Sequence, residues 1–465
     1  MLNALWLGLV TLAVLIGAAT GRLREVTEGA FQMADTAVMK IALPLVGIMA
    51  LWLGLMRLAE RSGLVQQLAR ALRPIMRRLF PDVPENHPAM GSMVMNMAAN
   101  MLGLANAATP LGLRAMRDLE TLNRQPGTAT NAMCTFLAIN TSSIQILPTT
   151  AIAILAAQRA QDPTAIVGTA LLATICSTVA GVSAVKWMQD WRVFRRDETV
   201  AATDPAPAAA ASAAPGEEAL PELPAEPTTL TPGGRAAVGV LLAVFAALWL
   251  WIVLAPAGYQ AATAALHAQL FPGQAVVAAK ADPGAQHLAL RAIGTLSLLA
   301  VPFLLVFFPF YAAARGVKVY EEFVEGAKEG FQVAIRVIPF LVAILVAIGM
   351  FRGAGGIEAM QRALAPLLTP LGFPPDLLPM TLVRPLSGSA TTGLFAELVQ
   401  RVGPDSLTAR MAGTIFGSTE TTFYVIAVYF GSVAVRRTRH AVAAGLIADF
   451  AGVVASVVIC RLMFS

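Results

Sequence analysis

The chain has 465 residues, 57% of them hydrophobic and only 13% charged, with a net charge of +5 and a mean hydropathy of +0.67. Soluble domains carry roughly 25% charged residues, so the composition excludes an ordinary water-soluble fold. The small basic surplus suits loops that set membrane topology better than nucleic-acid binding, and Cys134, Cys176 and Cys460 have neither disulfide nor metal spacing.

In chain order, Met1–Gly21 is apolar without a basic leader region or a small-residue cleavage site, and is read as a first span rather than a removed signal. Ile41–Met56 is a short uncharged span entered by Lys40 and holding an early proline, Pro44. Next, Leu64, Leu68, Leu72, Ile75, Met76 and Leu79 recur at helical spacing with arginines between them, which predicts an amphipathic helix at the membrane interface. Two polar-rich apolar segments follow, Met93–Gly112 and Phe136–Thr150, and the uncharged span Pro163–Val185 closes this part. Asp197–Gly234 is rich in Pro and Ala, has no basic residue, and reads as a linker that cannot bury enough apolar surface to fold.

Beyond the linker, Ala236–Pro256 and Ala292–Ala314 are uncharged and long enough to cross a hydrocarbon core, which takes about 20 apolar residues. The first part's order then recurs. Val337–Phe351 is a short span entered by Arg336 and holding Pro339. Met360, Leu364, Leu367, Leu368 and Leu371 mark a second amphipathic helix. Leu382–Gly393 and Ile415–Val428 are polar-rich segments, and Ala441–Cys460 is a final span. The expected organisation is two related units, 1–196 and 235–465, joined by 197–234.

Lys/Arg bias gives their orientation. Arg57 to Arg78, Arg114 to Arg124 and Lys186 to Arg196 share the cytoplasmic side if Met93–Gly112 is a re-entrant hairpin. The amino terminus and linker are then cytoplasmic too. In the second unit, Arg315, Lys318 and Lys328 are cytoplasmic, the helix after Arg352 is external, and Arg436, Arg437 and Arg439 return inside. The predicted fold class is an all-α polytopic membrane protein with two inverted-topology repeats, interfacial amphipathic helices, re-entrant hairpins and broken transmembrane helices, a plan that recurs in secondary transporters.

Candidate substrate-binding residues are the polar side chains stranded among apolar neighbours. In the first unit they are Asn96, Asn100, Asn106, Thr109, Asn140, Thr141, Ser142, Ser143 and Gln145. In the second they are Arg384, Ser387, Ser389, Thr391, Thr392, Ser418, Thr419, Glu420, Thr421 and Thr422. Irregular backbone at membrane depth survives only where protein or a wet cavity satisfies it, and Gly103, Pro110, Pro148, Pro385, Gly388 and Gly417 are the expected breaks. The bland alternative is that single hydroxyls and amides glue helices together. A charge at membrane depth costs about 2.5–3.5 kcal/mol on insertion scales, so Arg384 and Glu420 either neutralise each other or meet a solute. Arg384 has the fork for a carboxylate or phosphate, and Glu420 is the first candidate for a coupling proton. Asp449 is expected to pair with a basic residue on another helix, and Lys40 and Arg336 to snorkel.

These motifs carry a resemblance. GLANAATPLG (Gly103–Gly112) and FLAINTSSIQILPTT (Phe136–Thr150) resemble spore maturation protein A. VRPLSGSATTG (Val383–Gly393), GPDSLTARMAGTIFGSTETTFYVIAVYFG (Gly403–Gly431) and GLIADF (Gly445–Phe450) resemble spore maturation protein B. The whole looks like a natural fusion of the two, within a Gate-domain or nucleoside-recognition group that includes parts of nucleoside and ferrous iron transporters. The resemblance implies a bacterial inner-membrane protein and fixes no substrate.

The function expected is a secondary carrier of a small polar or anionic solute by alternating access. The chain has no P-loop GxxxxGK[ST] and so no ATPase of its own. The alternative is a non-transporting membrane scaffold that uses the same fold to bind a partner. A hydrolase is the weakest reading, since Ser387 and Ser389 have no histidine or lysine at membrane depth to act as base. Neither cofactor nor metal is expected. The expected partners are a small-molecule solute and membrane lipid, not nucleic acid, and a homo-oligomer is compatible.

Overall fold

The computed structural model describes residues 2–142, 144–194, 230–272, 287–368 and 372–464. Among these the chain is all helical, and six helices are long and apolar enough to cross a membrane. The protein is a polytopic α-helical membrane protein.

Helix α1 (Leu2–Thr20) turns at Gly21 into α2 (Leu23–Asp35), which runs without a stop through a π-helical stretch, Thr36–Ala42, into α3 (Leu43–Arg61). The short span expected at Ile41–Met56 is therefore the second half of a 39-residue helix, about 58 Å long at 1.5 Å per residue. Lys40 does not end it because its side chain is exposed on the outer surface. Pro44 lacks the N–H that would bond to the Lys40 carbonyl four residues back. That carbonyl accepts instead from Gln158 Nε2 at 3.2 Å, and the ladder widens at this point into the π turn.

Amphipathic helix α4 (Leu64–Leu79) follows, burying Val65, Ala69 and Met76 while Ile75, expected on the apolar face, is exposed. Helices α5 (Pro88–Met101) and α6 (Ala105–Glu120) form a tight hairpin around Gly103, whose φ of +77° suits a residue without a Cβ. Pro110 lies inside α6 and makes no break. Helices α7 (Asn131–Thr141) and α8 (Thr149–Ala157) are the two arms of a broken helix, and α9 (Ile166–Met188) closes the unit.

Most of the expected linker, Asp197–Thr229, lies outside the described residues. Its last residues do not belong to it. Thr231 caps α10 (Pro232–Leu254) by accepting from Gly234 N at 3.0 Å, with proline at the first helical position. Helix α11 (Pro256–Leu270), an element the sequence reading passed over, buries no residue. After α12 (Leu288–Ala314), the span expected at Val337–Phe351 again proves to be the end of a longer helix, the 35-residue α13 (Val319–Gly353). Then come α14 (Gly356–Leu368), α15 (Leu378–Val383), α16 (Gly388–Val402), the broken pair α17 (Leu407–Ser418) and α18 (Thr422–Gly431), and α19 (Ala441–Phe464).

The two long helices pack against each other antiparallel. Gly29 lies on Gly349, Gly54 on Gly326, Ala50 on Gly330 and Glu25 on Gly353, so close that a Cβ at these glycines would meet the opposing chain at 2.3–2.8 Å. Small residues let backbones approach where lipid offers no hydrophobic drive for association. Helices α4 and α14 consequently leave from opposite ends of the pair. Helices α9 and α19 also cross antiparallel, with Ser177 at Gly452 and Gly181 at Ala448. At one end of the molecule the basic loops gather: Arg439 donates to Phe194 O at 2.7 Å and Ala129 O at 3.1 Å, and Ala129 N donates to Arg437 O at 3.0 Å.

Candidate functional site

Four helix interruptions occur where polar residues were expected: at 102–104, 142–148, 384–387 and 419–421. Main-chain bonds link them in series. Ile146 N donates to Met101 O at 3.0 Å, Glu420 N to Thr141 O at 2.9 Å, and Phe423 N to Pro385 O at 2.9 Å. Backbone groups freed in one break thus meet those freed in the next, across the boundary between the two units. Gly417 lies on Pro148 at this crossing, 2.5 Å from where its own Cβ would stand, so it serves close approach rather than a break.

The first unit meets its broken ends with amides. Asn96 Nδ2 donates across the α5–α6 hairpin to Ala108 O at 2.7 Å and contacts the Tyr429 hydroxyl at 3.4 Å. Asn100 donates to Asn140 Oδ1 at 2.8 Å, and Asn140 to Phe136 O at 2.8 Å. Thr141 and Ser142 bond back to Ala138 O and Ile139 O, and Ser142 receives Thr178 at 2.9 Å and, on its carbonyl, Thr174 at 2.8 Å. Thr109 and Gln145 are half-buried. Ser143 and the Asn106 side chain lie outside the described residues.

The second unit uses ions. Arg384, 4% exposed, donates from Nε to Thr419 Oγ1 at 3.2 Å and from Nη2 to the carbonyls of Phe416, at 2.9 Å, and Thr419. It caps the carboxyl end of α17, where the helix dipole favours a cation, and its guanidinium lies 4.6 Å from the centre of the Phe416 ring. Glu420 stands 4.0 Å from Arg384, at the outer limit of an ion pair, with its side chain 36% exposed. Ser387 caps α16 through Ala390 N, Thr391 and Thr392 bond back to Ser387 O and Gly388 O, and Ser418 meets Ser456 at 3.1 Å. Ser389 is half-buried, and Thr421 is buried with its Oγ1 near Gly388.

The polar groups of both units therefore converge, but they bond chiefly to one another and to main chain. The cavity of about 120 Å³ beside them is lined by Gly103, Leu104, Thr149 and Thr150 with Trp52, Arg57, Glu60 and Glu329, and not by Arg384 or Glu420. This cavity lies against the seam between α3 and α13. Residues from that seam were missed: Arg57 bonds Glu322 at 2.8 Å and Glu329, tying α3 to α13. Mid-helix arginine and glutamate read as solvated faces, and only the antiparallel pairing joins them. Near the opposite end Arg352 bonds Glu397, and Arg401 reaches Asp376 at 2.7 Å. Arg352, Glu397 and Arg401 border a second cavity of about 360 Å³, lined also by Asp35 and by Thr36 and Lys40 of the π stretch.

Asp449 corrects another expectation. Its partner is a hydroxyl, Thr422 Oγ1 at 2.6 Å, and not a basic side chain. It belongs to the convergence, as does Tyr429, which stacks on Phe136 with ring centres 6.0 Å apart. Asp449 was visible in sequence as an acid inside a span; Tyr429 carried no signal.

A multi-pass membrane protein whose interrupted helices meet one another is the class that the fold defines. The Gate family, described as nucleoside recognition, matches residues 42–158 and 334–436, which cover α3 to α8 and the second half of α13 to the loop after α18. The chain is 42% identical over 182 residues to spore maturation protein A of Bacillus subtilis strain 168, covering 39% of this chain and 92% of that protein. It is 42% identical over 172 residues to spore maturation protein B of the same organism, covering 37% and 97%. An uncharacterized Escherichia coli K12 protein, YjiH, is 34% identical over 76 residues, 16% of this chain and 34% of that one. The chain belongs to the spore maturation protein A and B family, and two relatives that each match close to two fifths of it are consistent with a fusion.

Proposed function

We propose that the protein is a secondary carrier moving a small polar or anionic solute by alternating access, with its site between two inverted Gate repeats, 1–196 and 235–465. The observation that carries this is the chain of main-chain bonds linking all four helix interruptions across the two units. Broken helices with polar lining, held between units of opposite sense, are how carriers build a midplane site. The antiparallel pairing of α3 with α13, and of α9 with α19, supports inversion. The solute is drawn to the polar residues named from the sequence, with Arg384 as the anion-recognising group, from the 120 Å³ cavity beside Thr149 and Thr150. The chain works in the bacterial cytoplasmic membrane with amino terminus and linker inside, driven by an ion gradient, and is no enzyme.

The test is uptake into proteoliposomes screened against nucleosides, dicarboxylates and amino acids, with Glu420→Gln as the site variant. Uptake lost in Glu420→Gln at unchanged melting temperature is the expected result; no uptake of any class, or uptake indifferent to Glu420→Gln, contradicts the reading. Cysteines placed in α4 and α14 should label from opposite sides of the membrane, and labelling from one side removes the inversion. A membrane scaffold is the second reading. It is favoured by Arg384, whose donors serve the carbonyls of Phe416 and Thr419. It predicts that substitutions among the polar residues disturb assembly and leave flux untouched.

A further inference from the structure

We propose that Asp449 is a proton-binding site of this protein. Its backbone is drawn tightly into the convergence of the two units. Gly445, one turn earlier on α19, lies against Thr422, and a Cβ there would stand 3.4 Å from Thr141 Oγ1; Gly452, one turn later, lies against Thr419 and Ser177. Between them Asp449 is 4% exposed. One carboxyl oxygen, Oδ2, accepts from Thr422 Oγ1 at 2.6 Å, while Oδ1 is buried with no hydrogen-bond partner.

A carboxyl group at membrane depth needs a partner for each oxygen or needs to be neutral. Around Asp449, α9 offers the Ser177 hydroxyl, which donates to Ala448 O at 2.8 Å, and α7 offers Thr141, which donates to Ala138 O. The charged groups that face it are Arg384 and Glu420, from the 384–387 and 419–421 interruptions. Arg384 is turned toward the carbonyls of Phe416 and Thr419. Among the described residues, Oδ1 is thus a buried oxygen left without a donor and open to an added proton, and the step is simply carboxylate plus proton giving carboxylic acid.

An alkali cation fits less well. It requires several oxygens at once, yet the carbonyls of Thr141, Phe416 and Thr419 already accept N–H donors, and a guanidinium adjoins the site. Loss of the proton leaves a buried anion that competes for Arg384. Drawing Arg384 off Phe416 and Thr419 uncaps α17 and loosens the interruption before α18. Proton binding is in this way tied to the packing of both units. Resting on the carrier reading, we assign to Asp449, rather than the half-exposed Glu420, the coupling of proton movement to solute movement.

Infrared difference spectroscopy on the purified full chain in lipid, across a pH titration, reads the site without any solute. A titrating carboxylic-acid C=O band is expected in the wild type and in Glu420→Gln. It should vanish in Asp449→Asn and shift in frequency in Thr422→Val, which removes one hydrogen bond from the carboxyl while leaving the acid in place. A band that survives Asp449→Asn, is lost in Glu420→Gln, or is absent from the wild type overturns the assignment. So does a sodium-dependent rise in melting temperature that Asp449→Asn abolishes, since that makes the ligand a metal cation. In proteoliposomes, Asp449→Asn should keep solute exchange and lose accumulation driven by a pH gradient. If the infrared pattern holds while no solute moves in the wild type, the carrier reading fails and the proton site stands.

Discussion

The interruptions of the first unit and those of the second solve one problem with different chemistry. Both expose main-chain groups at membrane depth, where each unmet group costs several kcal/mol. The first unit meets them with a ladder of neutral amides, Asn96, Asn100 and Asn140. The second sets a guanidinium on the end of α17 and surrounds it with two acids, Glu420 and Asp449. A neutral ladder holds its geometry across pH and salt, whereas an ionic cap changes strength with every proton and every competing ion.

The largest effect expected from this contrast is at Arg384. Arg384→Ala leaves the carbonyls of Phe416 and Thr419 uncapped and two acids without their nearby cation, and should cost about 3–5 kcal/mol, read as a lowered melting temperature in detergent. The added substitution Glu420→Ala should restore little, because capping rather than the 4.0 Å ion pair is the main interaction. Full rescue would reverse that ranking and make the pair dominant. Asn140→Ala, in the neutral ladder, should cost roughly 1–3 kcal/mol with no dependence on salt. A salt-dependent loss there would erase the distinction between the units.

A smaller effect is expected outside both sets of breaks, at His440. Burial first, and then Arg439 and Lys186, push its imidazole down to about 4 from an ordinary value near 6.5. The folded protein therefore holds it neutral while the unfolded chain protonates it, so its contribution to stability is complete above about pH 6.5 and is lost as pH falls toward 4. Melting temperatures across that window should fall in the wild type, and His440→Leu should remove part of the slope; an identical slope in the variant counts against it. The smallest effect belongs to Thr392→Val. Its hydroxyl returns to Gly388 O on its own helix, so a loss below about 1 kcal/mol is expected, and a larger one would mean a partner beyond that helix.

Much of this was legible in the sequence for simple reasons. Stranded asparagines and hydroxyls among apolar residues have few outlets but a broken backbone, and all four interruptions fall where they cluster. The Thr231–Pro232 cap was missed, because the low-complexity composition around it carried the expected linker on to Gly234. What escaped the sequence depended on tertiary contact. Lys40 and Arg336 look like span boundaries, yet charge does not break a helix, and both lie exposed along helices that continue past them. Pro44 was visible, but the side chain that receives its orphaned carbonyl, Gln158, comes from a distant element. Arg384 and Glu420 read as partners because their charges are opposite. Composition cannot reveal that free carbonyls stand closer to the arginine than the glutamate does.

The central claim is that interruptions from the two units meet directly, and one cross-link tests it. Pro148→Cys and Gly417→Cys are combined in a chain whose three native cysteines are replaced, with a protease site inserted in the 197–229 segment. Pro148 Cβ and the position of a Gly417 Cβ stand 2.5 Å apart, so a separation of about 1 Å more brings them to disulfide spacing. After oxidation in native membranes and proteolysis, the two halves should migrate as one species that reductant separates. Halves that part without reductant, while a pair of cysteines across the α5–α6 hairpin still cross-links, would mean that the two units do not share a centre.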